Sequence, residues 1–147
     1  MKYINYFKMT IPSLSRNESF ARTVVSAFVS QLDPLVSQLA DIRAAVSEAV
    51  TNCIVHAYAD SEDAGKITIT AKLSEDTAYI KIKDNGCGIE NIKQAMEPLF
   101  TTKPDEERTG LGFAVMESCA DKVKVSSEKN KGTTVNLTFK IETKEVL

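Results

Sequence analysis

The sequence lacks the features of a secreted or membrane-spanning protein. Its 147 residues include only three cysteines, Cys53, Cys87 and Cys119, and no two of them form a CxxC pair. An odd number of cysteines without that spacing argues against both a disulfide framework and a structural zinc site. The longest apolar run covers a handful of residues, whereas a bilayer span needs about 20, and the amino terminus lacks the apolar segment of a signal peptide. We therefore expect a cytoplasmic protein.

An excess of charge of one sign is also missing. The 18 Lys and Arg residues and the 20 Asp and Glu residues leave a net charge of −2. Direct binding to nucleic acid needs clustered cations that neutralise phosphates, so the composition argues against it. Hydrophobic residues make up 43% of the chain, which is enough for a core and excludes a wholly disordered protein. At this length we expect one domain over residues 1–147.

The spacing of the apolar residues predicts five strands and four helices. The predicted strands cover residues 1–12, 66–73, 78–83, 123–127 and 133–141. The predicted helices cover residues 19–32, 37–59, 91–96 and 110–120, and a loop covers residues 98–109. This order predicts an α+β fold, a two-layer α/β sandwich with helices on one face of a mixed, largely antiparallel sheet.

The first two helices each carry an apolar stripe. In the first helix, which Asn17 or Ser19 could cap, apolar residues recur every four positions at Phe20, Val24, Phe28 and Leu32. In the second helix the stripe consists of Ile42, Val46, Ala49, Val50, Cys53 and Ala57. We expect both stripes to face the core.

A polar ribbon runs beside the apolar stripe of the second helix. Glu48, Asn52 and His56 are spaced i, i+4, i+8, so in an α-helix they drift only about 80° around its axis. Together they offer a proton acceptor, an oxygen ligand for a hard cation and a hydrogen-bonding imidazole. Each of these residues taken alone is more typical of a solvated helix flank, and only the three together favour a functional site.

Glycine-containing turns follow at three places. Asp84-Asn85-Gly86-Cys87-Gly88 ends a strand, and its glycines would let another molecule approach the backbone closely. Taken alone, this string is more typical of an ordinary Asx turn. Thr109-Gly110-Leu111-Gly112 opens a helix, and its amide groups could bind an anion. That string does not complete a dinucleotide fingerprint, because Val115 stands at the third glycine position. Gly132-Thr133-Thr134 opens the last strand.

Taken in order, EAVTNCIVHA, DNGCG, PLFTTK, TGLGF and GTT resemble the motif set of the Bergerat-fold ATPases. This GHKL superfamily includes DNA gyrase, Hsp90, MutL and the catalytic domains of histidine kinases. The resemblance covers residues 48–134, and the form EAVTNCIVHAY is most similar to the anti-sigma-factor serine kinases of Gram-positive bacteria. The resemblance implies a Bergerat-type sandwich that binds ATP or ADP together with Mg²⁺.

The resemblance also implies a role for individual residues. Glu48 would be the general base, Asn52 would hold Mg²⁺, and Asp84 would accept a hydrogen bond from the adenine amino group with support from Thr133. Residues 98–108 would form a lid over the phosphates. The remaining implied nucleotide-binding residues are His56, Gly86, Gly88, Thr101, Thr102, Lys103, Arg108, Thr109, Gly110, Leu111 and Gly112.

The partners implied by the resemblance are proteins. A homodimer would bind and inhibit the sporulation sigma factor sigma F, and would phosphorylate a serine of an anti-anti-sigma antagonist. Tyr3, Tyr6 and Phe7 could form the dimer interface, although they could equally be core residues.

Three other functions are alternatives to this one. A histidine kinase needs an acceptor histidine, but the only histidine, His56, lies inside the nucleotide motif. A machine-type ATPase such as gyrase needs a transducer domain, for which 147 residues leave no room. A binding module that sequesters a transcription factor would use the nucleotide only to set the shape of the module. This function does not exclude kinase activity.

Overall fold

The structure, a computed structural model, describes residues 2–58, 64–89 and 112–142. In these ranges five strands form one sheet in the order β1-β2-β3-β5-β4, and all four pairings are antiparallel. The strands are β1 (Asn5–Pro12), β2 (Lys66–Leu73), β3 (Thr77–Asp84), β4 (Lys122–Glu128) and β5 (Gly132–Lys140). All five strands were predicted, β2 with the observed bounds.

Three α-helices lie within the described ranges: α1 (Arg16–Val29), α2 (Val36–Asn52) and α3 (Gly112–Cys119). A 3₁₀ turn, Ser30–Leu32, follows α1, and a π-helical turn, Cys53–Ala57, follows α2. The predicted helix over residues 91–96 and the predicted loop over residues 98–109 lie outside the described residues. No helix in the described part of the chain is long and apolar enough to cross a membrane.

Buried and exposed side chains alternate along the strands, and this alternation explains why the helices cover one face of the sheet. In β2 the side chains of Ile67, Ile69, Ala71 and Leu73 are buried, while Lys66 and Lys72 between and beside them are exposed. Successive side chains of a strand point to opposite faces, so one face collects the apolar residues. Together with the apolar faces of α1, α2 and α3, this face encloses a single core. The predicted α+β two-layer fold is confirmed.

The buried face of α1 differs from the predicted one. The structure buries Ala21, Val25 and Val29, whereas Phe20 is 51% exposed. Of the predicted stripe, Leu32 is buried, in the 3₁₀ turn that follows α1. The observed stripe lies one residue along from the predicted one, because α1 packs against α2 and small side chains allow two helices to approach closely. Phe28 is half-buried at the margin, with its ring 4.7 Å from that of Phe7.

The caps predicted for α1 were also wrong. The helix begins at Arg16, and the residue before it, Ser15, makes no side-chain capping bond. Asn17 lies inside the first turn, and its side-chain amide donates to the Pro12 carbonyl at 2.9 Å. This bond ties the start of α1 to the end of β1. The amides of Asn17 and Glu18 donate to the backbone carbonyls of Leu14, at 2.8 Å, and Ser15, at 3.3 Å, so backbone turns take the place of a side-chain cap.

The second helix changes its winding near its end. The sequence predicts one helix over residues 37–59, but α2 ends at Asn52 and Cys53–Ala57 forms a π-helical turn. The amide of Cys53 donates to the carbonyls of both Ala49 and Val50 at this transition. Because a π-turn is wider than an α-turn, His56 does not continue the straight i, i+4 line of Glu48 and Asn52. Such turns occur frequently at functional sites.

Candidate functional site

Two predicted site residues on α2 meet the start of α3. A Cβ atom placed on Gly112 would lie 3.1 Å from Glu48 Oε2 and 3.4 Å from Asn52 Oδ1. A side chain at this position would therefore crowd both polar groups, and glycine lets the start of α3 lie directly beside them. Since the amino-terminal end of a helix carries a partial positive charge, it is a favourable neighbour for the Glu48 carboxylate.

The donor set of this cluster fits a magnesium ion that is shared with a ligand. One carboxylate and one amide oxygen are hard oxygen donors, which Mg²⁺ prefers. Within residues 2–58, 64–89 and 112–142, no group of three or more His, Cys, Asp or Glu side chains could hold a metal ion. Mg²⁺ is commonly bound by one or two protein oxygens, with phosphates and waters completing its shell. An oxygen such as that of the Asn52 amide could therefore serve as one protein ligand of such an ion.

A second cluster surrounds Asp84, the last residue of β3. Its side chain is buried, with only 4% of the residue exposed. Asp84 Oδ1 accepts the amide hydrogens of Gly86, at 2.9 Å, and of Thr133, at 3.2 Å. Asp84 Oδ2 accepts the thiol hydrogen of Cys53 at 3.5 Å. Burial raises the pKa of Asp84, and the hydrogen bonds from Gly86, Cys53 and Thr133 oppose that rise.

Cys53 connects the two clusters, because it follows Asn52 in the chain and reaches Asp84 with its sulfur. Burial, followed by the charge of Asp84, raises the pKa of the Cys53 thiol well above its usual value. The sulfur is therefore a protonated donor at neutral pH. The sequence pattern assigned Cys53 to the apolar stripe of the second helix, and its burial confirms that. Its contact with Asp84 was not predicted.

The loop after Asp84 packs between two parts of the backbone. A Cβ on Gly86 would lie 2.1 Å from the carbonyl oxygen of Ala57, at the end of the π-turn. Gly88 has a φ of +74°, and a Cβ there would lie 2.0 Å from the carbonyl oxygen of Glu128. Only glycine fits either place. The requirement for glycine thus arises from close approach to the chain's own backbone.

Tyr58 fixes the same loop from the side of β2. Its hydroxyl donates to the Lys66 carbonyl at 2.6 Å and accepts the amide hydrogen of Asn85 at 2.8 Å. Its pKa is raised, chiefly by burial, so the hydroxyl stays protonated and can make both bonds. Tyr58 was not predicted to act at the site, although it ends the motif string EAVTNCIVHAY.

Ser127 holds the loop from the other side. Its hydroxyl oxygen accepts the amide hydrogen of Ile89 at 2.7 Å and lies 2.8 Å from Thr133 Oγ1. It donates its single proton to the Gly132 carbonyl at 3.0 Å, so the Thr133 hydroxyl is the donor in the contact between the two side chains. Ser127 was missed because a serine in an alternating strand is typical of a solvated face.

The structure thus brings Glu48, Asn52 and Gly112 into one cluster, and Asp84, Gly86 and Thr133 into another. His56 lies in the π-turn, half-buried, and its backbone carbonyl accepts the Cys87 thiol at 3.3 Å. Seven predicted site residues lie outside the described residues: Thr101, Thr102, Lys103, Arg108, Thr109, Gly110 and Leu111.

Known proteins share both the sequence and the fold. Residues 11–139 match the histidine kinase-like ATPase domain family. An anti-sigma F factor of Thermoanaerobacter sp. (strain X514) is 51% identical, over 94% of this chain and 95% of its own length. An anti-sigma F factor of Clostridium perfringens (strain SM101 / Type A) is 48% identical, over 95% of this chain and 99% of its own length.

Solved structures with low sequence identity share the fold. The RsbU and RsbW domains of a Mycobacterium tuberculosis protein superpose with a TM-score of 0.69 at 20% identity, covering 97% of this chain and 35% of that chain. The catalytic domain of the histidine kinase ThkA superposes with a TM-score of 0.58 at 16% identity, covering 96% and 97% of the two chains. The chain belongs to the histidine kinase-like ATPase domain family and, within it, to the anti-sigma F factors.

The burial of Asp84 predicts a pH-dependent stability. Its pKa is raised above the ordinary value of 3.8 in the folded protein, so the ionised carboxylate opposes folding above the raised pKa, and this cost is relieved as the pH falls through it. We expect Asp84→Asn to unfold at a higher temperature than the wild type at about pH 7.5, with a smaller difference at about pH 4.5. Thermal unfolding, monitored by circular dichroism, measures the unfolding temperatures of the two proteins at each pH.

The matched control is Glu75→Gln, which removes a carboxylate from an exposed turn. It should leave the unfolding temperature nearly unchanged at both pH values. An Asp84→Asn variant that is less stable than the wild type by the same amount at both values would contradict the prediction.

The bonds of Ser127 predict a local effect on the loop. Ser127→Ala leaves the amide of Ile89 without its acceptor, and an unsatisfied group of this kind costs about 1 kcal/mol or more. We expect a lower free energy of unfolding in urea and faster hydrogen exchange at the Ile89 amide. Ser126→Ala, on the exposed neighbouring position of β4, should change neither. Equal effects of the two substitutions would refute the anchoring role.

Proposed function

We propose that this chain is a magnesium- and ATP-dependent protein-serine kinase, active as one domain over residues 1–147. It would bind and inhibit the sporulation sigma factor sigma F and phosphorylate a serine of an anti-anti-sigma protein. Its membership of the anti-sigma F factors and of the histidine kinase-like ATPase domains supports this proposal. The observation that carries it is the position of Glu48 and Asn52, side by side against the start of α3.

Asn52 is the proposed magnesium ligand. When bound, Mg²⁺ would neutralise charge on the nucleotide phosphates, which is a main requirement of phosphoryl transfer. Asn52 lies in the last turn of α2, so its amide is carried by a helix whose buried face is packed in the core. Such support keeps a ligand in one orientation and lowers the cost of binding.

Glu48 is the proposed general base. It lies one helical turn before Asn52 and faces the same space at Gly112. From there its carboxylate would accept the proton of the attacking serine hydroxyl, as the hydroxyl oxygen forms its bond to the γ-phosphorus. The ADP oxygen is the leaving group. A well-placed general base contributes about 10²- to 10⁴-fold to the rate.

Asp84 is the proposed acceptor for the adenine amino group. Its Oδ1 already receives two backbone amides, so Oδ2 is the oxygen with more capacity for a ligand donor. Thr133 would support the base directly or through a water. Gly86 and Gly88, held against Ala57 and Glu128, would keep the loop in the shape that surrounds the base and ribose.

The phosphate contacts belong to the part of the chain outside the described residues. There we propose that Thr101, Thr102, Lys103 and Arg108 act from a lid, and that Thr109, Gly110 and Leu111 contribute polar and amide groups next to Gly112. His56 would support the site from the π-turn.

The proposed assembly is a cytoplasmic homodimer whose affinity for its two partners depends on ATP or ADP. β1 is an edge strand of the sheet, and an edge strand offers unpaired backbone groups to a second chain. Tyr6 on that strand is 71% exposed and Tyr3 before it is 43% exposed, which supports their use in an interface. Phe7 is half-buried against Phe28 and belongs with the core. Any effect of nucleotide on partner affinity must be reciprocal.

A transfer assay separates this proposal from the alternatives. The purified chain is incubated with γ-labelled ATP and a purified anti-anti-sigma protein, with and without Mg²⁺. We expect label on a serine of the partner, only with Mg²⁺. Free phosphate alone would indicate a hydrolase, and nucleotide-dependent capture of sigma F without either product would indicate a sequestering module.

Two substitutions test the assigned roles. We expect Glu48→Gln to bind ATP as tightly as the wild type and to lose about 10²- to 10⁴-fold in transfer rate, because only the proton acceptor is removed. We expect Asn52→Ala to lose the Mg²⁺-dependent part of ATP affinity. Calorimetry measures the ATP affinity, and the transfer assay measures the rate of phosphoryl transfer. The control, Glu117→Gln on the exposed face of α3, should change neither quantity, and equal loss of affinity in both site variants would contradict the assignments.

A further inference from the structure

The proposed site contains a buried thiol to which no step has been assigned. Cys53 and Asp84 are each 4% exposed, and the Cys53 sulfur lies 3.5 Å from Asp84 Oδ2. The two residues come from different elements, the π-turn after α2 and the end of β3. Their contact joins the helix that carries the proposed magnesium ligand to the proposed acceptor for adenine.

The two oxygens of Asp84 have different surroundings. Oδ1 is fixed by the amides of Gly86 and Thr133, whereas Oδ2 accepts the Cys53 thiol. The S···O separation of 3.5 Å is ordinary for a thiol donor, and a thiol is a weak donor. It can therefore hold the carboxylate in one rotamer and still leave Oδ2 a good acceptor for a stronger donor from a ligand.

We propose that Cys53 is a positioning residue that determines purine specificity. Its thiol holds Asp84 so that Oδ2 accepts the exocyclic amino group of a 6-aminopurine nucleotide and disfavours a 6-oxopurine nucleotide. This inference rests on the proposed function, in which Asp84 binds the adenine ring. It concerns hydrogen bonding alone, and no bond is made or broken at the sulfur.

A purely structural role predicts something different. Cys53 also belongs to the hydrophobic core, so a substitution that only disturbs packing would weaken the binding of all nucleotides alike. Loss of the positioning bond would instead change the ratio of the affinity for a 6-aminopurine nucleotide to the affinity for a 6-oxopurine nucleotide. Valine replaces the thiol by apolar groups of similar size, and serine keeps a donor at the same atom position.

The test is titration calorimetry of the full chain with ATP and with inosine triphosphate, both with Mg²⁺. We expect the wild type to prefer ATP, and Cys53→Val to reduce the ratio of the two affinities about fivefold, which is the effect of losing one modest hydrogen bond. Cys53→Ser should keep the ratio within about twofold of the wild type. Cys119→Val, which replaces a thiol on α3, should also keep it.

The outcomes separate this inference from the proposed function. ATP binding with an unchanged ratio in Cys53→Val, or an equal loss for both nucleotides, overturns the role of Cys53 and leaves the kinase proposal standing. A wild-type chain that binds neither nucleotide overturns both. Should circular dichroism show that Cys53→Val does not fold, Cys53→Ala takes its place, with the same expected decrease in the ratio and the same contrary results.

Discussion

The hydrogen bonds around the buried carboxylate of Asp84 hold together the parts of the molecule that form the site. Burying a charge is costly unless donors surround it, and here the donors come from three places: the following loop, β5 and the π-turn after α2. Moving any of these parts would leave a buried carboxylate with fewer donors. Asp84 therefore links the loop, the last strand and the end of α2, and the bonds of Tyr58 and Ser127 fix the same loop from its two sides.

A second constraint is the close approach of α3 to α2. Because residue 112 is glycine, the start of α3 lies beside both Glu48 and Asn52. The two proposed functional groups stand on one helix, and the core fixes that helix through Val46, Ala49 and Val50. The proposed base and metal ligand thus keep their separation through the same apolar packing that stabilises the fold. The same helix, α2, thus carries the proposed functional groups and a large part of the core packing.

Sequence reasoning predicted what depends on local periodicity and missed what depends on tertiary contact. The strand alternation of β2 has a period of two, so its bounds and buried face were predicted. On α1 two apolar stripes lie one residue apart, Phe20-Val24-Phe28 and Ala21-Val25-Val29, and only packing on α2 decides between them. The clustering of Glu48, Asn52 and Gly112 agrees with the motif order, whereas the bonds of Cys53 and Ser127 join residues from different elements. No local pattern could have indicated those bonds.

The central claim is that the space beside Asp84, Glu48 and Asn52 binds ATP together with Mg²⁺. The most direct test is a calorimetric titration of the purified, folded chain with ATP. The titration is done once with Mg²⁺ and once after a chelator has removed the Mg²⁺. We expect saturable uptake of one ATP per chain that weakens when Mg²⁺ is withdrawn. The absence of saturable uptake under both conditions would contradict it.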